Sequence, residues 1–183
     1  LKELLKRYER QILPDHKGKQ AEGYRLKTLK RYLGALTLVQ LTPKEIATYR
    51  DMRLQEISPA SLKRELTILS QVLTVASRDW GISIPQNPVK MISLPKADKA
   101  RTRRLETGEE AKLLHGSNSK LNRVITLALE TAMRRAEILN IKKSHINFNK
   151  SVLLIPSTKT NTPRTIPLSR DAVTVLREQL RAS

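Results

Sequence analysis

Through the first 80 residues apolar side chains recur at spacings of three and four, and residues that begin or end helices interrupt them. Leu4, Leu5, Tyr8 and Ile12 form a stripe that stops near Pro14, with DHKGK following as a turn. Leu26, Leu29, Leu33 and Leu36 form a second stripe. Thr42-Pro43-Lys44-Glu45 supplies an N-cap, a proline at the first helical position and a capping-box glutamate, opening a helix that runs to about Glu56. Ser58-Pro59 repeats the device before Leu62, Leu66, Leu69, Leu73 and Ala76, and Trp80-Gly81 ends that helix. Each stripe covers one helix face, so the segment predicts a small bundle of four helices joined by short loops.

The chain of 183 residues is long enough for one medium domain or two small ones, and 39% hydrophobic residues support a packed core. No apolar run approaches the length of a membrane span. The charged opening LKELLKRYER has no signal-peptide pattern, and because the chain opens on Leu1 rather than Met, an upstream segment is expected. The absence of cysteine excludes disulfides and thiolate metal sites and fits a reducing cytoplasm. Lys and Arg exceed Asp and Glu by 35 to 17, a net charge of +18 spread over both halves of the sequence. A folded chain this basic faces a polyanion, with nucleic acid the leading class and an anionic membrane surface the second. One Phe, one Trp and four Tyr are too few exposed rings for single-strand binding by base stacking.

From Pro85 to Arg104 three prolines and the basic run KADKARTRR replace the periodic pattern, which reads as a linker lying on phosphate or as a plain solvated tether. Beyond it, Thr107-Gly108-Glu109-Glu110 reads as a further capping box, with helices near 107–115 and 119–132 and a short helix continuing to about Lys143. SVLLIP and RTIPL flank the polar turn STKTNTP and predict a hairpin, and Ser169 caps a last helix carrying Val173, Leu176 and Leu180.

Within this half, TAMRRAEILN sets Arg134, Arg135 and Glu137 into apolar sequence. Arg134 and Glu137 stand three apart, the spacing of an ordinary surface pair on a helix. They also stand at a junction between helical segments, where a guanidinium can fork onto two phosphate oxygens while a carboxylate holds it. Lys159 lies at the hairpin tip, within reach of a cleft. Metal-dependent hydrolysis is excluded on ligand supply, since Glu130, Glu137 and His145 are the only carboxylates and histidine between Ser117 and Arg170. No phosphate-binding G-x-x-x-x-G-K-S/T loop is present, so neither a metal nor another cofactor is expected.

LALETAMRRAEILNIKKSHINF followed by IPSTKTNTPRTIPLS resembles the tyrosine recombinase (phage integrase) family, whose pattern runs T-G-x-R-x-x-E-I/L, a strand, then a T-K-T hairpin ending in R-x-I/V-P-L. Trp80-Gly81 and Asn87-Pro88-Val89 also match the end of that family's core-binding domain, and the wording IATYRDMRLQEISPASL is similar to the shufflon-recombinase type. The resemblance implies a mainly α chain. Residues 1–88 would be a four-helix, SAM-like core-binding bundle and 89–104 a basic linker. Residues 105–183 would be the first part of a mixed α+β DNA breaking-rejoining catalytic domain with a small antiparallel hairpin. It implies that Arg134 clamps the scissile phosphate, Glu137 orients Arg134, and Lys159 is the general acid for the 5′-oxygen leaving group. Ala132 and Ala136 replace two glycines of the family, a mild departure in a helix.

The family's tyrosine nucleophile and its H-x-x-R box are not among these residues: no tyrosine follows Tyr49 and no histidine follows His145. The chain is therefore expected to carry half an active site and not to cleave DNA by itself. The resemblance implies a bacterial or phage-encoded clamp on double-stranded DNA, cytoplasmic and acting at the nucleoid, as a monomer when free and a homotetramer on DNA. Contacts would come from Arg25, Lys27, Thr28, Lys30 and Arg31, from Lys63, Arg64 and Thr67, from Lys96, Lys99, Arg101 and Arg103 in the linker, and from Arg135. A non-catalytic DNA-binding protein on the same scaffold and a basic RNA-binding protein are the rival readings.

Overall fold

The computed structural model describes residues 1–96, 102–157 and 162–181. It divides into two compact units, Leu1–Arg101 and Thr102–Ser183.

The first unit holds the four expected helices, α1 (Lys2–Gln11), α2 (Lys19–Leu33), α3 (Pro43–Leu54) and α4 (Pro59–Asp79). Both proline-marked starts form as read. The Thr42 hydroxyl accepts the Glu45 N–H at 3.4 Å and the Ser58 hydroxyl accepts the Ser61 N–H at 3.3 Å. The leucine stripes converge on one core in which Leu5, Tyr8, Leu26, Leu29, Ile46, Leu62, Leu66 and Leu69 are fully buried. Each such leucine contributes roughly 1.5–3 kcal/mol by leaving water. Leu36 falls beyond the end of α2, yet packs against the same core.

Two features of this unit have no counterpart in the hydrophobic pattern. Arg53 and Glu65 are buried, and Arg53 forks onto the Glu65 carboxylate through Nη2 at 2.8 Å and Nε at 3.2 Å. The Tyr49 hydroxyl donates to the same carboxylate at 2.6 Å, and Arg53 also pairs with Glu56. After α4, Asn87 ties the chain back onto that helix. Its Nδ2 donates to the Ser70 carbonyl at 2.9 Å and to the Ser70 and Thr74 hydroxyls, while its Oδ1 accepts the Val89 N–H. Pro88–Met91 then forms a short 3-10 turn with Val89 buried, so this part of the proline-rich stretch packs on the bundle.

The second unit contains α5 (Glu109–His115), α6 (Ser119–Thr131), α7 (Arg135–Leu139), β1 (Ile146–Asn147), β2 (Val152–Ile155), β3 (Arg164–Pro167) and α8 (Arg170–Arg181). The strands form an antiparallel sheet in the order β1-β2-β3, one strand more than the expected hairpin. Alternation along β2 sends Leu153 and Ile155 into the core and Leu154 outward. Leu127, Met133, Ile138, Leu168, Ala172 and Leu176 complete that core.

Three local expectations change. Thr107 does not cap α5: Gly108 precedes the helix with φ +84°, and the Glu109 carboxylate reaches back to the Glu106 N–H at 3.0 Å. The helix after the arginines ends at Leu139, and Lys143–His145 forms a separate 3-10 turn. Ala132 is not helical; it is the left-handed residue that terminates α6, with φ +50° and ψ +26°.

Candidate functional site

The left-handed turn at Ala132 positions the site. Its N–H still closes the last helical hydrogen bond, to the Ala128 carbonyl at 3.0 Å, and the chain then leaves the helix axis. Met133 drops into the core at 6% exposure, and Arg134 emerges as the residue before α7. An arginine is an unusual N-cap because its side chain offers no acceptor to the exposed amides. Glu137, the third residue of α7, supplies one instead: its Oε2 accepts the Arg134 N–H at 3.0 Å.

The same carboxylate holds two guanidiniums. Oε1 accepts from Arg134 Nη1 at 2.9 Å and Oε2 accepts from Arg164 Nη2 at 2.8 Å. Glu137 is nearly buried, with 6% of its side chain exposed, whereas the Arg134 side chain is 58% exposed. The Arg134 N–H first, then the two guanidiniums, hold the Glu137 carboxyl below the ordinary carboxylate range, against the opposing effect of burial. The carboxylate is thus fixed and ionised while the Arg134 guanidinium keeps donors free for a ligand.

Arg164 is a site residue that sequence reasoning misses. Its only signal is the arginine of R-x-I/V-P-L, a position with no role attached to it, and its partner lies 27 residues upstream. Strand register explains the meeting: Arg164 pairs across from Ile155 and shares its face, which turns toward α7. Met133, Arg134, Glu137, Asn140, His145 and Pro156 contribute to an open cleft of about 580 Å³ along this edge. His145 Nδ1 accepts the Lys142 N–H at 3.3 Å. No cluster of three metal-ligating side chains occurs among the described residues.

The remaining sequence-derived candidates divide by what they touch. Lys159, Lys99 and Arg101 lie outside the described residues. On α2, Lys27 and Arg31 are exposed, Arg25 and Thr28 half-buried, and Arg31 lies over the Tyr32 ring at 5.2 Å. Lys30 pairs with Glu9 and is only 19% exposed, so its charge is largely met within the bundle. On α4, Lys63, Arg64 and Thr67 are exposed, with the Thr67 hydroxyl donating to the Lys63 carbonyl at 2.7 Å. Lys96 and Arg135 are exposed, and Arg103 pairs with Glu109.

The second unit thus builds on a small antiparallel sheet, with a carboxylate-held arginine at a helix start. Residues 103–183 match the model of the phage integrase family. It is similar, at 38% identity, to a shufflon-specific DNA recombinase of Escherichia coli, over 94% of this chain and 48% of that protein. A putative integrase/recombinase of Haemophilus influenzae is 33% identical over 96% of this chain and 51% of its own length. The chain thus spans about half the length of these relatives. Among solved structures, a lambda integrase dimer bound to a COC′ core site superposes with a TM-score of 0.81 at 26% identity, covering 97% of this chain and 68% of that one. The Tn1549 transposon integrase in complex with transposon right end DNA gives 0.79 at 16% identity over 98% and 64%, a likeness of fold alone. Among the described residues, no helix is long and apolar enough to cross a membrane.

Proposed function

We propose that these residues form the DNA-binding bundle and the phosphate-clamping part of a site-specific recombinase that cleaves and rejoins duplex DNA through a 3′-phosphotyrosyl intermediate. The observation that carries the reading is the Glu137 carboxylate, nearly buried and bonded to Arg134 and Arg164, with the Arg134 guanidinium exposed beside a cleft. A guanidinium held this way meets the non-bridging oxygens of a phosphate without reorganising as charge develops, the condition under which electrostatic stabilisation is largest. Lys159 would deliver the proton to the departing 5′-oxygen. The tyrosine nucleophile would come from outside these residues, because Tyr8 and Tyr49 are buried, Tyr32 is packed on the bundle core, and Tyr24 is exposed on α2. We place the protein on cytoplasmic DNA, monomeric when free and tetrameric on its site.

The rival reading is a non-catalytic DNA-binding protein on the same scaffold, which occupies sites or blocks a complete recombinase. Substituting Arg134→Ala in a polypeptide extended through the H-x-x-R and tyrosine segment separates the two. Under the first reading a covalent protein–DNA adduct forms with the parent and falls by roughly 10²–10³-fold in the variant, with duplex binding largely retained. If the parent forms no adduct, the non-catalytic reading stands.

A further inference from the structure

We infer that Gln71 on α4 reads a base edge in the major groove and sets a preference for adenine at one position of the DNA site. The inference rests on the proposed reading of α4 as a DNA-facing helix. Lys63, Arg64, Thr67, Gln71 and Thr74 share the polar face of that helix, opposite the buried Leu62, Leu66, Leu69 and Leu73. The charged groups on this face are not equivalent. Arg78, at the far end of the helix, is neutralised by Asp79 through bonds of 2.6 and 2.8 Å. Lys63 and Arg64 have no acidic partner among the described residues, so the positive charge gathers at the N-terminal end of α4.

The hydroxyls beyond those cations are already engaged. Thr67 donates to the Lys63 carbonyl, Thr74 donates to the Ser70 carbonyl, and the Ser70 and Thr74 hydroxyls both accept from Asn87. Gln71 is exposed and has no partner among the described residues, so its amide keeps a donor and an acceptor side by side. That pair matches the N7 acceptor and N6–H donor that adenine presents in the major groove. Gln71 stands seven residues after Arg64, about 10 Å along the helix axis. A major groove is about 12 Å wide, so a helix entering it with Lys63 and Arg64 against phosphate carries Gln71 toward the base edges. Cations at the groove wall fix register, and the free amide then adds sequence information they lack.

The test is affinity selection from duplexes with a randomised core, using the chain itself. The parent is expected to enrich a motif with a strongly preferred adenine at one position. Gln71→Ala should lose that preference roughly ten-fold while keeping the rest of the motif. Gln71→Glu should turn it toward cytosine, whose exocyclic amine donates to a carboxylate. Lys63→Ala and Arg64→Ala should instead weaken binding to all sequences. Each should also flatten the dependence of log affinity on log salt by about 0.9 for every phosphate that is no longer neutralised. Identical motifs from the parent and both Gln71 variants would overturn the inference. So would a parent that binds duplexes steeply with salt but enriches no motif, an outcome that leaves the DNA-binding reading standing. Affinity that does not change with salt would overturn both.

Discussion

The left-handed turn at Ala132 yields a pair of substitutions with opposite expected signs. Ala132 and Ala136 both occupy positions where the family often uses glycine, yet Ala132 has φ +50° and Ala136 lies inside α7. An L-residue in the left-handed region pays roughly 1–2 kcal/mol that glycine does not. Glycine gives back about 0.4–1 kcal/mol through the greater freedom of its unfolded chain. Ala132→Gly should therefore stabilise the second unit by about 0.5–1 kcal/mol. Ala136→Gly has no strain to relieve and should destabilise it by about 1 kcal/mol.

Trp80 is the only tryptophan and lies in the first unit, so its fluorescence is silent here. Hydrogen exchange followed by mass spectrometry on peptides covering Leu127 and Leu153–Ile155 reports on the second unit directly. Where those amides exchange through opening of the whole unit, Ala132→Gly should slow them roughly two- to five-fold and Ala136→Gly should speed them roughly five-fold. If both variants speed exchange, residue 132 is helical in solution. The turn that delivers Met133 inward and Arg134 outward would then be wrong.

Glu137 is held ionised, so its contribution is present above the ordinary glutamate range and is lost as pH falls through its depressed folded value. Exchange of the Arg134 amide should accelerate beyond its intrinsic pH dependence below about pH 4.5, and Glu137→Gln should abolish that acid transition. Burial pushes the Tyr8 phenol up to about 12 and the Tyr49 phenol further still. Their stabilisation is intact below about pH 10 and drains away above it, by about 1.4 kcal/mol per pH unit for each tyrosine while the folded state stays protonated. Urea titrations followed by Trp80 fluorescence between pH 9 and 11.5 should show that slope. Glu65→Gln leaves the buried Arg53 only the half-exposed Glu56 as counter-charge and should cost the first unit about 3 kcal/mol in the same assay, the low end for breaking a buried pair. Replacing Arg53 and Glu65 together by apolar residues of similar volume should recover most of it.

Much of the first unit could be read because its signals are local. Thr42-Pro43 and Ser58-Pro59 mark helix starts within four residues, and the leucine stripes name the buried faces directly. The Arg53–Glu65 pair was not legible, since two charged residues on separate helices give no sign that they face each other across a core. At the candidate site the i, i+3 spacing of Arg134 and Glu137 was visible, but what Glu137 does with its second oxygen was not. Arg164 reaches that oxygen through a strand register that exists only once β2 and β3 have paired. The Ala132 turn was hidden for another reason: glycine announces a left-handed residue and alanine does not, so the position passed for helix. Thr107 erred the opposite way, as its threonine suited a cap and the chain turned on Gly108 instead.

Because one carboxylate serves two guanidiniums, Arg134, Glu137 and Arg164 should behave as a single heritable unit. A change at any one alters what the other two are worth, so their mutational effects should not sum. Over evolutionary time the three positions would change together or stay fixed. Anyone redesigning this cleft to accept a different anion should randomise all three in one library, because one-at-a-time scans would reject combinations that work only as a set.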